Sequence, residues 1–99
     1  MGTKSSVKEK TNLKIKIPKQ YLVVMHNDDF TPMDFVVDIL TNIFHKNFDE
    51  AVSIMMQIHK GDRGVVGSYS YDIAKSKSEK AMLAAREEGY PLRITVEEG

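Results

Sequence analysis

The chain has 99 residues, no cysteine, a formal net charge of zero and 41% hydrophobic residues. This fits one globular domain with a modest core, excludes disulfides and thiolate metal sites, and gives no overall charge to attract nucleic acid. No apolar run approaches the ~20 residues of a membrane span and no signal-peptide apolar region opens the chain, so the expected setting is the cytoplasm, or a stroma after import, with no membrane partner.

Residues 1–19 carry six lysines against one glutamate, a net +5, which leaves −5 on the remainder. This polar stretch ends near Pro18 and reads as a flexible basic N-terminal extension, residues 1–19, ahead of a core domain, residues 20–99. Within it, LKIKI alternates and is a candidate short edge strand. YLVVMHN, residues 21–27, is apolar and β-branched, which predicts a strand. The polar run Asn27-Asp28-Asp29 follows. TPMD, residues 31–34, then predicts a helix start, with Thr31 as N-cap, Pro32 in the first helical position and Asp34 suiting the dipole. Met33, Val36, Val37, Leu40 and Phe44 continue at helical spacing to an expected end near Lys46-Asn47.

A second helix is predicted over FDEAVSIMMQIHKGD, with Asp49 as its cap, Ala51, Met55 and Ile58 as its apolar stripe, and Gly61 as the left-handed residue that ends it. His59 lies in its last turn. RGVVGSYSY, residues 63–71, reads as a strand whose glycines invite close backbone approach. A third helix begins around Ser70 and Asp72. Its expected inner side is Ile73, Ala81, Ala84 and Ala85, and Gly89 and Pro91 terminate it. PLRITVEE is a last strand, with Leu92, Ile94 and Val96 on one face. The order β-α-α-β-α-β predicts an α+β two-layer sandwich, a three-stranded antiparallel sheet with three helices on one face.

The chain has no cysteine nucleophile, glycine-rich phosphate loop, nucleophile elbow or HExxH. The residues alone leave three readings of Asn27-Asp28-Asp29 open. One is a turn built on side-chain-to-backbone hydrogen bonds ahead of a capped helix. Another is a metal or hydrolytic site using Asn27, Asp29 and His59, although the spacing matches no EF-hand or zinc pattern. The third is a receptor for a cation joined to a bulky hydrophobe, because Met25, Met33, Met55 and Met56 supply soft apolar surroundings. A free peptide N-terminus with a large first side chain is such a ligand.

VVMHNDDFTPMDFVVDIL, MMQIHKGDRGVVGSYSYDIAKSK and GYPLRITVEE resemble the ClpS family, adaptors of the Clp protease, over residues 20–98. The resemblance implies an adaptor, not an enzyme, that needs no cofactor. It implies binding of N-degrons, peptides that begin with Leu, Phe, Tyr or Trp, and their transfer as a monomer to the N-terminal domain of an AAA+ unfoldase, ClpA or ClpC. By motif, the ligand's α-amino group meets Asn27, Asp29 and His59, with Asp28 adding negative field or shaping the turn. The hydrophobic pocket is implied at Met25, Thr31, Met33, Val36, Met55, Ile58 and Leu92, with Met33 as the gate against β-branched residues. Asp72 and Lys77 match the unfoldase-binding surface, and the basic arm matches an extension that engages the unfoldase. A regulator that caps the ATPase without reading peptides is the alternative within the same resemblance. Two positions depart from the family pattern. Asp72 replaces a frequent glutamate, which shortens its reach. His26 replaces an aliphatic or tyrosine, and strand alternation points it away from Met25 toward a rim or surface. His45 carries no motif and reads as exposed or as a cation at a helix C-terminus.

Overall fold

A computed structural model describes residues 17–99. Six elements follow in the order β1 (Gln20–His26), α1 (Met33–Asn42), α2 (Phe48–Gly61), β2 (Arg63–Ser70), α3 (Tyr71–Glu87) and β3 (Arg93–Glu98). Four of the five residues of the candidate strand LKIKI and nearly all of the basic extension lie outside the described residues, and the fifth, Ile17, is exposed and in no strand.

The three strands form one antiparallel sheet in the order β2-β1-β3. The central place of β1 explains its continuous apolar run, since a central strand is covered on both edges and by whatever packs on its faces. Val23, Val24 and Met25 are all fully buried. Val23 and Met25 join the main core, whereas Val24 lies between its cross-strand partners Val65 and Thr95. A bulge opposite Val23 and Val24 places an extra residue, Val66, in β2. The main core is completed by Val36, Ile39, Leu40 and Phe44 from α1 and the turn after it, Ala51 and Ile58 from α2, Val66 from β2, Ala74, Ala81 and Ala85 from α3, and Leu92 and Ile94. The two-layer α+β architecture is as predicted.

The ends of the helices differ from the predictions in physically informative ways. Pro32, not Thr31, is the N-cap of α1, and no side chain caps it. The Thr31 hydroxyl donates to Asp28 Oδ2 at 2.7 Å and is committed there. Helix α1 also stops at Asn42 rather than near Lys46, and the amides of Phe44 and Lys46 fold back onto the carbonyls of Ile39 and Leu40. His45, exposed just beyond, takes a left-handed φ of 57°. The cap of α2 is Asn47, not Asp49. Asn47 accepts from the Glu50 amide at 2.8 Å and donates its own amide to Glu50 Oε1 at 3.2 Å, a reciprocal capping box. At the other end Asp62, not Gly61, adopts the left-handed conformation, with φ of 70°, a region that aspartate tolerates better than most residues. Gly89 does end α3 as predicted, with φ of 83° and the Gly89 and Tyr90 amides donating to Arg86 and Ala85.

The inner face of α3 matches the expected one at Ala81 and Ala85, which are buried, and at Ala84, which packs partly buried against the core, but not at Ile73. Ile73 is exposed, and the buried stripe is Ala74, Ser78, Ala81 and Ala85. Small residues let α3 lie close to the sheet, and this outweighs the hydropathy of a single isoleucine.

Candidate functional site

Strand β1 delivers Asn27 to the end of the sheet, and the Asn27 amide donates to the Asp62 carbonyl at 2.7 Å. Asp62 terminates α2, whose last turn carries His59. Close packing of α2 on β2 fixes that helix end. A Cβ on Gly64 would stand 2.8 Å from Ile58 Cγ1, so glycine there lets the strand approach the residue before His59.

The turn itself is held by Asp28. Its Oδ1 accepts from the Phe30 amide at 2.8 Å and the Thr31 amide at 2.7 Å, and its Oδ2 accepts from the Thr31 hydroxyl. Burial pushes this carboxyl upward, but the Thr31 amide and hydroxyl, the Phe30 amide and the Arg86 charge outweigh it and hold it below the usual carboxylate range. Of the two roles the resemblance leaves to Asp28, the geometry supports shaping the turn. Asn27, Asp29 and His59 instead present exposed side chains.

These residues share one cleft of about 340 Å³. Asn27, Asp28, Asp29, Thr31, Met33 and His59 all line it, together with Phe30 and Pro32, which sequence reasoning did not assign to the site. Met33 is 44% exposed at its edge and Phe30 is 75% exposed. The remaining predicted pocket residues do not line this cleft: Met25, Val36, Ile58 and Leu92 are buried in the core, and Met55 is half-buried and lines a separate groove between α1 and α2. Leu92 is drawn in by Arg86, whose Nη1 donates to the carbonyls of Tyr90 and Leu92. The edge-to-face contact of Phe35 with Tyr90, 4.9 Å between centroids, ties α1 to the same loop. Among the described residues, no group of three or more His, Cys, Asp or Glu is placed to hold a metal ion, and no helix is long and apolar enough to cross a membrane.

The arrangement is one of oxygen and ring-nitrogen acceptors beside the apolar side chains of Phe30, Pro32 and Met33. An ammonium has three donors and no acceptor, and these groups complement it. The family description "ATP-dependent Clp protease adaptor protein ClpS" matches residues 16–95.

The chain belongs to the ClpS family.

It is 46% identical over 97 residues to the ATP-dependent Clp protease adapter protein ClpS of Acetivibrio thermocellus, covering 98% of both chains. It is 41% identical to the ClpS of Wolinella succinogenes over 97 residues, covering 98% of this chain and 95% of that one. A solved structure of Agrobacterium tumefaciens ClpS2 bound to L-phenylalaninamide aligns with a TM-score of 0.81 and 36% identity, over 84% of this chain and all of that one. ClpS proteins are adaptors of the Clp protease system and not enzymes.

Asp72 and Lys77 stand apart from the cleft just described. Both line a separate cleft of about 340 Å³ between the end of α1 and the start of α3, with His45, Ile73 and Lys80. Lys77 Nζ donates to the Ile43 carbonyl at 3.0 Å, so its ammonium is turned onto the end of α1. Tyr71 and Ile73 beside Asp72 are exposed. His26 points away from the cleft, as strand alternation predicts. It is half-buried, its Nε2 lies 2.8 Å from Thr95 Oγ1, and Thr95 Oγ1 donates to Glu97, which pairs with Arg63 at 2.9 Å.

Proposed function

We propose that this chain is a cytoplasmic, monomeric adaptor for N-degrons. It captures proteins whose free N-terminal residue is Leu, Phe, Tyr or Trp and delivers them to the N-terminal domain of a Clp AAA+ unfoldase, ClpA or ClpC. The observation that carries this reading is the shared cleft that brings Asn27, Asp29 and His59 together with Met33. The ligand of the related Agrobacterium ClpS2 structure, L-phenylalaninamide, supports it. That molecule has a free α-amine, an aromatic side chain and an amide where a peptide chain would continue.

In this reading the α-ammonium donates to the Asn27 carbonyl oxygen, to the Asp29 carboxylate directly or through water, and to the neutral His59 ring. Asp28 holds the turn that aims them. The first side chain enters between Thr31, Met33 and Met55 and settles against Met25, Val36, Ile58 and Leu92. Methionine's three rotatable bonds let Met33 move aside for it. Burying a Leu or Phe side chain contributes roughly 1.5–3 kcal/mol. A first residue branched at Cβ brings a methyl group against Met33, so rejection of Ile and Val is steric. Asp72, with Tyr71 and Ile73 beside it, supplies the unfoldase-facing surface. Lys77 shapes that surface by holding the end of α1. The basic extension of residues 1–19 assists transfer.

The test is reconstituted degradation of a reporter that begins with Leu, by an unfoldase-protease pair, with and without this chain. The adaptor should accelerate loss of the Leu reporter and leave an otherwise identical Met-initiated reporter unaffected. Equal rates for both reporters, with and without the chain, would overturn the proposal.

A further inference from the structure

Arg63, His26 and Arg93 stand side by side on β2, β1 and β3. His26 is the direct cross-strand partner of both arginines. Their neighbours show which face they occupy. Met25 and Ile94 are buried in the core, and a Cβ on Gly64 would meet Ile58. Alternation therefore sends all three side chains to the face of the sheet away from the core. Like charges directly opposite one another across strands are destabilising. One end of this row is answered, because Arg63 reaches across β1 to pair with Glu97 at 2.9 Å. The other end is not. Arg93 pairs with no carboxylate among the described residues.

The hydrogen bonds around His26 fix its tautomer. Thr95 Oγ1 gives its single proton to Glu97 at 2.9 Å. At 2.8 Å from His26 Nε2 it can then only accept, so Nε2 carries a proton. The other ring nitrogen, Nδ1, makes no hydrogen bond among the described residues. On the neutral ring Nδ1 is a lone pair beside two arginines. On the charged ring it is an N–H donor. Burial and the Arg93 and Arg63 charges favour the neutral form, and Glu97 opposes them. An anion beside the ring offsets the arginine charges and favours the charged form.

We propose that Arg93 and His26, backed by Arg63, form a binding site for a phosphoryl group, on the opposite face of the sheet from the core. A carboxylate has two oxygens, which the planar fork of one arginine already occupies. A phosphoryl group has three. Two accept from Arg93 and the third accepts from protonated His26 Nδ1. The row lies at the Arg63 end of β2, whereas Asp72 follows the Ser70 end. A phosphoryl group bound here leaves the proposed unfoldase-facing surface open.

Ring-proton NMR of His26 tests this, with sulfate as the first probe because it remains a dianion from pH 7.5 to 5.5. At pH 5.5 the His26 signals should shift with half-saturation at about 5 mM sulfate or less. At pH 7.5, where Nδ1 is unprotonated, binding should be weaker by about threefold or more. His45 and His59 line other clefts, so their signals are internal controls and should stay still. Chloride at equal ionic strength should have no effect. Arg93→Gln should lose the response, and Lys75→Gln, an exposed cation on α3, should keep it. Inorganic phosphate and O-phosphoserine should both shift His26, and the tighter of the two shows whether the group is taken free or esterified. Acetate should bind more weakly than either. No response at His26, a response shared equally by His45 and His59, one matched by chloride or acetate, or one undiminished in Arg93→Gln would overturn the inference. None of these outcomes touches the degron cleft.

Discussion

The amide of Asn27 donates to the carbonyl of Asp62 at 2.7 Å, joining the end of the central strand to the residue that terminates the helix bearing His59. A single backbone hydrogen bond thus couples two groups 32 positions apart that face one cleft. The acceptor set depends on the strand end, the turn and the helix end holding their places together.

The turn is the part most exposed to mutation. Asp28→Ala removes three hydrogen bonds to one carboxylate. Allowing for partial exposure, the expected loss of stability is about 2 kcal/mol, with weaker peptide binding. Asp28→Asn keeps one oxygen to accept from the amides and should cost less. Urea denaturation of both variants checks this, and equal losses would contradict the account.

In the proposed pocket Met33 is assigned the part of a gate. Met33→Ala should admit peptides beginning with Ile or Val and bring their affinity within about tenfold of a Leu peptide, a difference of about 1.4 kcal/mol. Unchanged rejection of Ile by this variant would remove the steric explanation.

The order of elements and the location of the turn were legible in the sequence because apolar periodicity and turn residues are local signals. The cap of α1 was not, since Thr31 has two possible partners and the structure commits it to Asp28. Ile73 misled in a similar way. Hydropathy favoured it for the inner face alongside Ala81 and Ala85, but close packing placed the smaller Ala74 and Ser78 there in its stead. The roles in the site were read by resemblance, and residues alone left a metal site and a plain turn open. Phe30 has no periodic signal and its place at the rim follows from the turn Asp28 builds. The groove that Met55 lines exists only where α1 and α2 lie side by side, which spacing within either helix does not reveal.

In the proposed complex a ring nitrogen of His59 is one of the acceptors offered to the ammonium. His59→Ala should therefore weaken binding of a free-amine Leu peptide by about tenfold, about 1.4 kcal/mol, and leave an acetylated peptide unaffected. Unchanged affinity for the free peptide would exclude this role.

His26 bears on stability instead. Burial lowers its pKa, the Arg93 and Arg63 charges lower it further, and Glu97 opposes them. The unfolded chain therefore takes up this proton first as pH falls. The contribution is fully present above the ordinary histidine value, about 6.5, and is lost as pH falls through that value toward the lowered one in the folded state. His26→Gln removes the titration, so its urea midpoint should drop less than the wild-type midpoint between pH 7.5 and 5.5. Superimposable pH dependences would contradict the assignment.

The central claim is that a free α-amine is read by Asn27, Asp29 and His59. It is tested most directly by the anisotropy of one Leu-initiated peptide with its N-terminus free or acetylated. Acetylation removes the charge and leaves the amide nitrogen a single N–H, while the leucine side chain is untouched. Binding should be lost on acetylation, by a hundredfold or more, and Asp29→Ala should weaken the free peptide while leaving the acetylated one as poor as before. Equal affinity for the free and acetylated peptides would contradict the account.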